Sequence, residues 1–399
     1  MNKDVKRIFI VLFFYALSGG VFYNFQELWM AENNLSTQTI GIVFSLCALL
    51  TVSTIFLCSN LIDRKKLKGF SCFLLLLKTL IIFALFLLHN SGLSVIIKFL
   101  IMADYVIDTE IYACIYPMVA YITKSDKIYA MRGLIYSYAY YGGTLLTSLL
   151  LGKTISALNI NFNTYCLIGS ILMLVSYIIL KNTDLEKYYK KQKKDNSNEV
   201  FYQVLGKVKK DKITQNYLGF VLFENASYNS INGLLILLLT SSLGFSASGA
   251  SNFKLILGII AVFLATLILE KLTFKNNYIN ISIKFVGRLI LYLLAFLSNN
   301  KIFFLMAIIF VRLLSESYSH VTDAPYVNRF SADEQLAFCN LKEMVNYLSK
   351  AIGNLMCGIA LAMGTRYNFL FALIFIVFQT FFAFKALKLY NKEKKEINV

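Results

Sequence analysis

Residues 181–212 read KNTDLEKYYKKQKKDNSNEVFYQVLGKVKKDK, the one long polar segment in a chain of 399 residues that is 58% hydrophobic and 15% aromatic. Ten lysines crowd into it, and apolar runs lie on either side. A soluble fold of this length could not hide so much apolar surface behind 15% charged residues, so the sequence is written for a bilayer. The segment then separates two membrane-embedded regions and is predicted to be a cytoplasmic basic linker.

Outward from it run apolar blocks of roughly 20 residues, each long enough to cross a hydrocarbon core of about 30 Å. They fall near 8–30, 37–60, 69–89, 93–122, 131–157 and 162–180 before the linker, and 213–240, 248–270, 277–298, 302–328, 335–363 and 367–389 after it. The reading is an all-α membrane protein with twelve transmembrane helices in two pseudo-symmetric six-helix bundles, residues 1–180 and 213–399. The first block follows MNKDVKR without an A-x-A cleavage site and reads as an uncleaved helix.

Lys and Arg cluster on alternate breaks: Lys3, Lys6 and Arg7; Arg64 to Lys68; Lys124, Lys127 and Arg132; the linker; Lys271 and Lys275; Arg329; and the tail from Lys385. The breaks AENNLS (31–36), NSG (90–92) and SSLGFSA (241–247) have none, which predicts both termini on the cytoplasmic side of a cell membrane. The net charge of +17 is accordingly a topology signal and a contact with anionic lipid. No aromatic-laced soluble basic domain exists to bind nucleic acid, and a monomer is expected.

The seven cysteines are scattered singly without C-x-x-C spacing, so neither a disulfide frame nor a metal site is expected. No cofactor is implied either, because the G-x-x-x-x-G-K-[ST] phosphate loop is absent. Two histidines, with no H-E-x-x-H or D-D-x-x-D spacing, leave little from which to build a membrane-embedded enzyme.

The halves echo each other. The only prolines, Pro117 in EIYACIYPMVAY and Pro325 in SYSHVTDAPYVN, are 208 residues apart, and the same shift places Asp108 on Glu316 and Asp104 on Arg312. Nearby offsets match Asp63-Arg64 with Glu270-Lys271, Lys78 with Lys284, and NNLSTQTIG (33–41) with LGFSASGAS (243–251). Parallel repeats joined by a basic linker are an organisation of secondary transporters that alternate access around a midplane site.

In this layout, and in the loop SNLIDRKKLKG (59–69), the sequence resembles the major facilitator superfamily, whose loop between helices 2 and 3 reads G-x-x-x-D-R-x-G-R-K. Asp63, Arg64 and Lys68 fit that pattern, whereas Ser59, Lys66 and Leu67 depart from it. The resemblance implies that Asp63 and Arg64 are gating residues, with Glu270 and Lys271 as the weaker partner turn. A positive-inside loop that only fixes topology is the alternative, and for Lys65 and Lys66 it is the preferred one.

Ionisable groups inside a span are costly and tend to line a bundle interior or a wet cavity. Counting about 100° per residue, Arg312, Glu316, His320 and Asp323 fall within one stripe of helix 10, and Asp104 and Asp108 form the matching stripe of helix 4. Glu224 in ENASYNSIN and Lys350 in VNYLSKAIGN lie near mid-depth, and IYSYAYYGG (135–143) offers Tyr136 and Tyr140 as an aromatic wall. Asp104 and Arg312 are candidates for an ion pair or for two ends of one substrate. The i,i+4 spacing of Arg312 and Glu316 suits mutual neutralisation equally well.

His320 and Asp323 are placed at an inner gate. Lys78 and Lys284 are expected to snorkel to the interface from peripheral helices. The glycine pairs 19–20 and 142–143 are expected at close helix contacts. The function expected is secondary transport of a small organic solute coupled to protons, with Glu316 as the first candidate carrier and Glu224 and Asp108 as alternatives. Export is slightly favoured over uptake of an anionic metabolite, with a lipid-linked substrate third.

Overall fold

The computed structural model of the protein describes residues 3–22, 26–32, 35–61, 67–88, 94–122, 135–136, 139–146, 162–185, 197–271, 277–327, 329–330 and 332–397. Among these residues the regular structure is helical, with no strand. In chain order the helices are α1 (Lys3–Phe22), α2 (Gln26–Glu32), α3 (Thr37–Leu61), α4 (Leu67–Leu88), α5 (Ser94–Ile122), α6 (Phe162–Lys181), α7 (Ser197–Lys210) and α8 (Lys212–Asn232). They continue with α9 (Leu235–Leu237), which runs into a π turn over Leu238–Ser242, then α10 (Ala247–Lys271), α11 (Asn277–Ser298), α12 (Lys301–Val327), α13 (Ala332–Met363) and α14 (Arg366–Ile397).

These helices fall on the apolar blocks. The block at 131–157 is described only at 135–136 and 139–146, where it is helical. Two departures have local causes. The linker, read as a polar tether, holds α7, because Phe201, Val204 and Val208 recur on one face and are buried while Tyr202, Gln203, Lys207 and Lys209 stay exposed. The block at 213–240 is broken after Asn232, where Gly233 and the π turn interrupt the regular ladder.

Helix ends carry their own signals. Asp211 caps α8, its carboxylate accepting from the Ile213 amide at 2.9 Å and from the Thr214 hydroxyl at 2.5 Å. Gly244 and Gly364 take left-handed φ values of 77° and 126° in the turns before α10 and α14, a conformation that favours glycine.

The chain forms two compact units. One comprises residues 1–35, 61–195 and 245–255, the other residues 36–60, 196–244 and 256–399. Within the first, α4 packs on α5 and α6, and α1 packs on α6. Val5, Ile8, Leu12, Tyr15, Leu75 and Ile115 belong to its core. The two glycine pairs meet here as expected: a Cβ on Gly20 would overlap the Tyr140 carbonyl and come within 3.0 Å of the Gly143 Cα, so neither backbone has room for a side chain at this crossing.

Within the second unit α8 packs against α13 and α14, and α11 against α12 and α14. The Ser227 hydroxyl donates to the Ala372 carbonyl at 3.0 Å, and the Asn368 amide donates to the Ser230 carbonyl at 2.8 Å. Residues of α3 belong to this unit through α13: a Cβ on Gly41 would sit 2.9 Å from the Gly358 Cα, and the Ser45 hydroxyl donates to the Ala351 carbonyl.

Polarity is inverted relative to a water-soluble protein. Phe73, Leu87, Phe99, Phe263 and Leu297 stand exposed, while Lys78, Asp104, Arg288 and Gln379 have no accessible surface. Lipid satisfies the first group, and only internal partners can satisfy the second. Among the described residues, five helical segments are apolar and long enough to cross a membrane by length and composition: Lys3–Phe22, Thr37–Phe56, Leu67–Leu88, Thr164–Lys181 and Arg366–Glu393. Of similar length, α5 and α12 carry the charged residues around which a site can be built.

Candidate functional site

In the first unit a lysine sits between two carboxylates. The Lys78 ammonium, from α4, lies 2.5 Å from the Asp108 Oδ1 and 3.5 Å from the Asp104 Oδ1, both on α5. The i,i+4 spacing of the aspartates stacks them on one helix face, so one ammonium can serve both. Lys78 and Asp104 are fully buried, and Asp108 keeps 23% of its side chain accessible.

A snorkelling Lys78 is therefore ruled out. Its side chain points into the unit, where two carboxylates offer better solvation than a climb along lipid. Tyr15 closes the cluster from α1: its hydroxyl donates to the Asp108 carbonyl at 2.8 Å, and its ring centroid is 6.0 Å from the Lys78 Nζ. Tyr136 packs against Tyr15 at 6.1 Å, and Tyr140 stacks on Tyr136 at 6.4 Å. Four residues chosen from the sequence, Asp104, Asp108, Tyr136 and Tyr140, thus converge around Lys78 and Tyr15. The two added members had a legible signal in Lys78 alone, as a charge in the middle of an apolar run.

The second unit has a counterpart. Glu224 on α8 comes within 3.8 Å of Arg288 on α11, and Arg288 is fully buried. None of the three guanidinium nitrogens has a hydrogen bond, and both polar atoms of the buried Gln379 side chain also lack one. The pair is electrostatic and open, with the carboxylate just outside hydrogen-bonding reach. Arg288 escaped the sequence reading because the repeat was aligned through Lys284. At the 210-residue offset of the NNLSTQTIG echo, Lys78 falls on Arg288 instead. The side chain of Lys284 lies outside the described residues.

Beside Glu224 the second unit shows a polar face. Asn225, Tyr228, Asn229 and Asn232 recur on one side of α8, all half-buried. The Asn225 amide donates to the Asn346 Oδ1 of α13 at 2.8 Å, and the Asn346 amide donates to the Glu343 Oε1 at 3.0 Å. Lys350, one helical turn along α13, holds its ammonium 4.1 Å from the centroid of the Tyr347 ring, a cation–π contact.

Arg312 is buried on α12 in the second unit, and Asp104 lies beside Lys78 in the first. The backbone of α12 is helical through Glu316, His320 and Asp323, whose side chains lie outside the described residues. Asp63 and Arg64 lie outside them altogether, as do the side chains of Glu270 and Lys271 at the end of α10. No group of three or more metal-ligating side chains occurs among the described residues.

At the cytoplasmic end predicted for the second unit, Arg329 bridges the start of α8 and the last helix. Its guanidinium lies 3.2 Å from the Asp211 Oδ2 and forks onto both carboxylate oxygens of Glu393. The Glu393 hydrogen bonds raise the Arg329 pKa above its ordinary value, against a smaller opposing effect of burial. Lys207 of α7 pairs with Glu334 of α13 at the same end.

The family model described as Major Facilitator Superfamily matches residues 8–338. No curated protein sequence matches the chain. Among solved structures, the nucleoside transporter NupG superposes with a TM-score of 0.70 at 13% identity, covering 98% of this chain and 99% of its own. A D-xylose-proton symporter gives a TM-score of 0.64 at 13% identity, covering 94% and 95%. A bacterial homolog of the human lysosomal transporter Spinster, in an inward-facing and occupied conformation, gives 0.64 at 13% identity, with 96% of each chain covered. At these identities the likeness is one of fold.

Proposed function

Because the chain belongs to the major facilitator superfamily and is a multi-pass secondary transporter rather than an enzyme, we propose that it couples movement of a small organic solute to protons and that Asp108 and Asp104, around Lys78, carry the proton. The observation behind this reading is one buried ammonium held by two competing carboxylates. When both acids are ionised, Lys78 is shared. When a proton neutralises Asp108, the ammonium loses its nearer partner and is drawn to Asp104, so proton binding changes the ion pairing that ties α4 to α5. Asp108 is the member with accessible surface and is the entry point for the proton.

The arrangement also orders the candidates. Glu224 faces a guanidinium, which stays protonated at any working pH, so that pair has one exchangeable partner instead of three. Glu224 is assigned to the solute side. The xylose symporter in the fold comparison is named for proton coupling, which makes the same coupling a natural first test here.

Purified protein reconstituted in proteoliposomes, with labelled neutral, anionic and cationic solutes and an imposed pH gradient, tests the reading. Wild type should accumulate its solute with the gradient and exchange it without one. Asp108→Asn should keep exchange and lose most gradient-driven accumulation. Accumulation indifferent to the gradient in wild type, or undiminished in Asp108→Asn, would refute proton coupling at this site.

A further inference from the structure

Resting on that transport reading, we propose that Lys350 on α13 is the solute-binding cation and that the transported solute is an organic anion, held through a carboxylate or phosphate group. Lys350 lies near the middle of the apolar stretch 335–363, a depth at which a positive charge is costly unless it has a counter-ion or a task. Lys78, Arg288 and Arg329 each have acids beside them. Lys350 differs. Among the described residues no carboxylate comes within 4.0 Å of its ammonium, which rests instead 4.1 Å from the centroid of the Tyr347 ring. Glu224, an acid of the adjoining helix α8, is engaged by Arg288.

Contacts on both flanks fix the face of α13 on which Lys350 stands. Ser349 and Gly353 meet α8: the Ser349 hydroxyl donates to the Leu222 carbonyl, and a Cβ on Gly353 would sit 2.5 Å from that of Asn229. Ala351 and Gly358 meet α3: the Ala351 carbonyl accepts from Ser45, and a Cβ on Gly358 would sit 2.9 Å from the Gly41 Cα. At about 100° per residue Lys350 falls between these two faces, and about 160° away from Leu348. Leu348 is 39% exposed and takes the lipid side. Lys350 and Tyr347 are both half-buried, so their accessible surface borders the space between α8 and α3, on the side of α13 away from lipid.

The chemistry of the pair selects by charge. The aromatic face attracts the ammonium and holds it in place without neutralising it. An ammonium carries several N–H donors and a ring engages them from one side only, so the donors turned away from Tyr347 remain available to oxygen acceptors. A carboxylate or phosphate takes them in charge-assisted hydrogen bonds and supplies the missing counter-charge in the same step. A neutral solute leaves the charge uncompensated, and an organic cation is repelled by it. Preorganisation by the ring also lowers the ordering cost that a long lysine side chain would otherwise bring to binding.

The test is binding to the purified full-length protein in detergent at constant ionic strength, read as a thermal shift, with succinate, D-glucose 6-phosphate, D-glucose and tetraphenylphosphonium as probes. Succinate or D-glucose 6-phosphate should raise the Tm by several degrees at saturation, and the neutral and cationic probes should not. Lys350→Gln should weaken that binding about tenfold or more, the scale of a lost hydrogen bond to a charged group, and Lys350→Arg should restore much of it. Without ligand, Lys350→Met should match or exceed the wild-type Tm, because it removes a charge that lacks a counter-ion and keeps an apolar stem on Tyr347. A clear fall in that Tm would reveal a structural ion pair and overturn the proposal. Stabilisation by D-glucose or tetraphenylphosphonium alone, by none of the four, or by an anion equally well in Lys350→Gln overturns it too. No gradient enters this assay, so Asp108→Asn should bind like wild type. Anion binding without gradient-driven accumulation would sink the proton reading and leave the solute class standing.

Discussion

Replacing Lys78 by Met keeps the length of the side chain and removes its charge from between Asp104 and Asp108. Breaking a buried ion pair from one side costs roughly 3–5 kcal/mol, because the remaining charge stays in a low-dielectric setting. The lower end applies here, since Asp108 retains 23% of its side-chain surface and can recover some hydration. A loss of about 3 kcal/mol corresponds to a fall in Tm on the order of 6–12 °C for a domain of this size.

Thermal unfolding of wild type and variant at pH 7 reads the loss, and Lys78→Met/Asp104→Asn/Asp108→Asn should recover to within about 1–2 kcal/mol of wild type. A Lys78→Met Tm within 2 °C or so of wild type, or a triple variant no more stable than Lys78→Met, would refute the claim that this ammonium holds two buried charges.

Three further outcomes follow from other parts of the molecule. Gly143→Leu should destabilise by about 1–3 kcal/mol, because the Leu17 carbonyl and Gly20 backbone occupy the space a side chain needs; thermal unfolding checks it. Arg288→Met should lower the Tm, because it leaves Glu224, with 13% of its side chain accessible, without its counter-charge, and should lower solute exchange about tenfold or more; unchanged exchange would reverse the assignment. Arg329→Ala should cost about 1 kcal/mol or less, a deficit that shrinks as salt rises in unfolding measured across ionic strength, because all three partners are partly exposed.

The architecture was legible because bilayer thickness sets a length that apolar blocks must meet, and the polar segment 181–212 divides them evenly. Helix count and the positions of the breaks follow from that constraint, and the glycine crossings from the need of close-packed helices for small residues. The site was legible in part. Asp104, Asp108, Tyr136 and Tyr140 share a helix face or a short motif, and local spacing reveals such groupings. The partners that make them a site come from helices remote in sequence, and no spacing rule connects Lys78 to Asp108 or Arg288 to Glu224.

Lys78 was misplaced because general experience assigns charges on outer helices to the lipid interface, and the competing fact, two acids on the neighbouring helix, is tertiary. The helix α7 was hidden for a different reason. Its basic residues dominate the composition of the segment, and only three apolar positions announce its buried face. Arg288 was obscured by an alignment offset a few residues short, in a helix where one turn decides which side chain faces inward.

The echo between the two halves of the sequence ends in an asymmetry of donor geometry. One half places a primary amine in its interior and the other a guanidinium, 210 residues further on. An ammonium is a compact point charge that two carboxylates can share, whereas a guanidinium is a planar fork with fixed donor directions. One half thereby holds a cation that can re-pair between neighbours, and the other a cation whose pairing depends on alignment. Exchanging the two bases, by Lys78→Arg with Arg288→Lys, would ask whether the work of the cycle follows the amine or the half in which it resides.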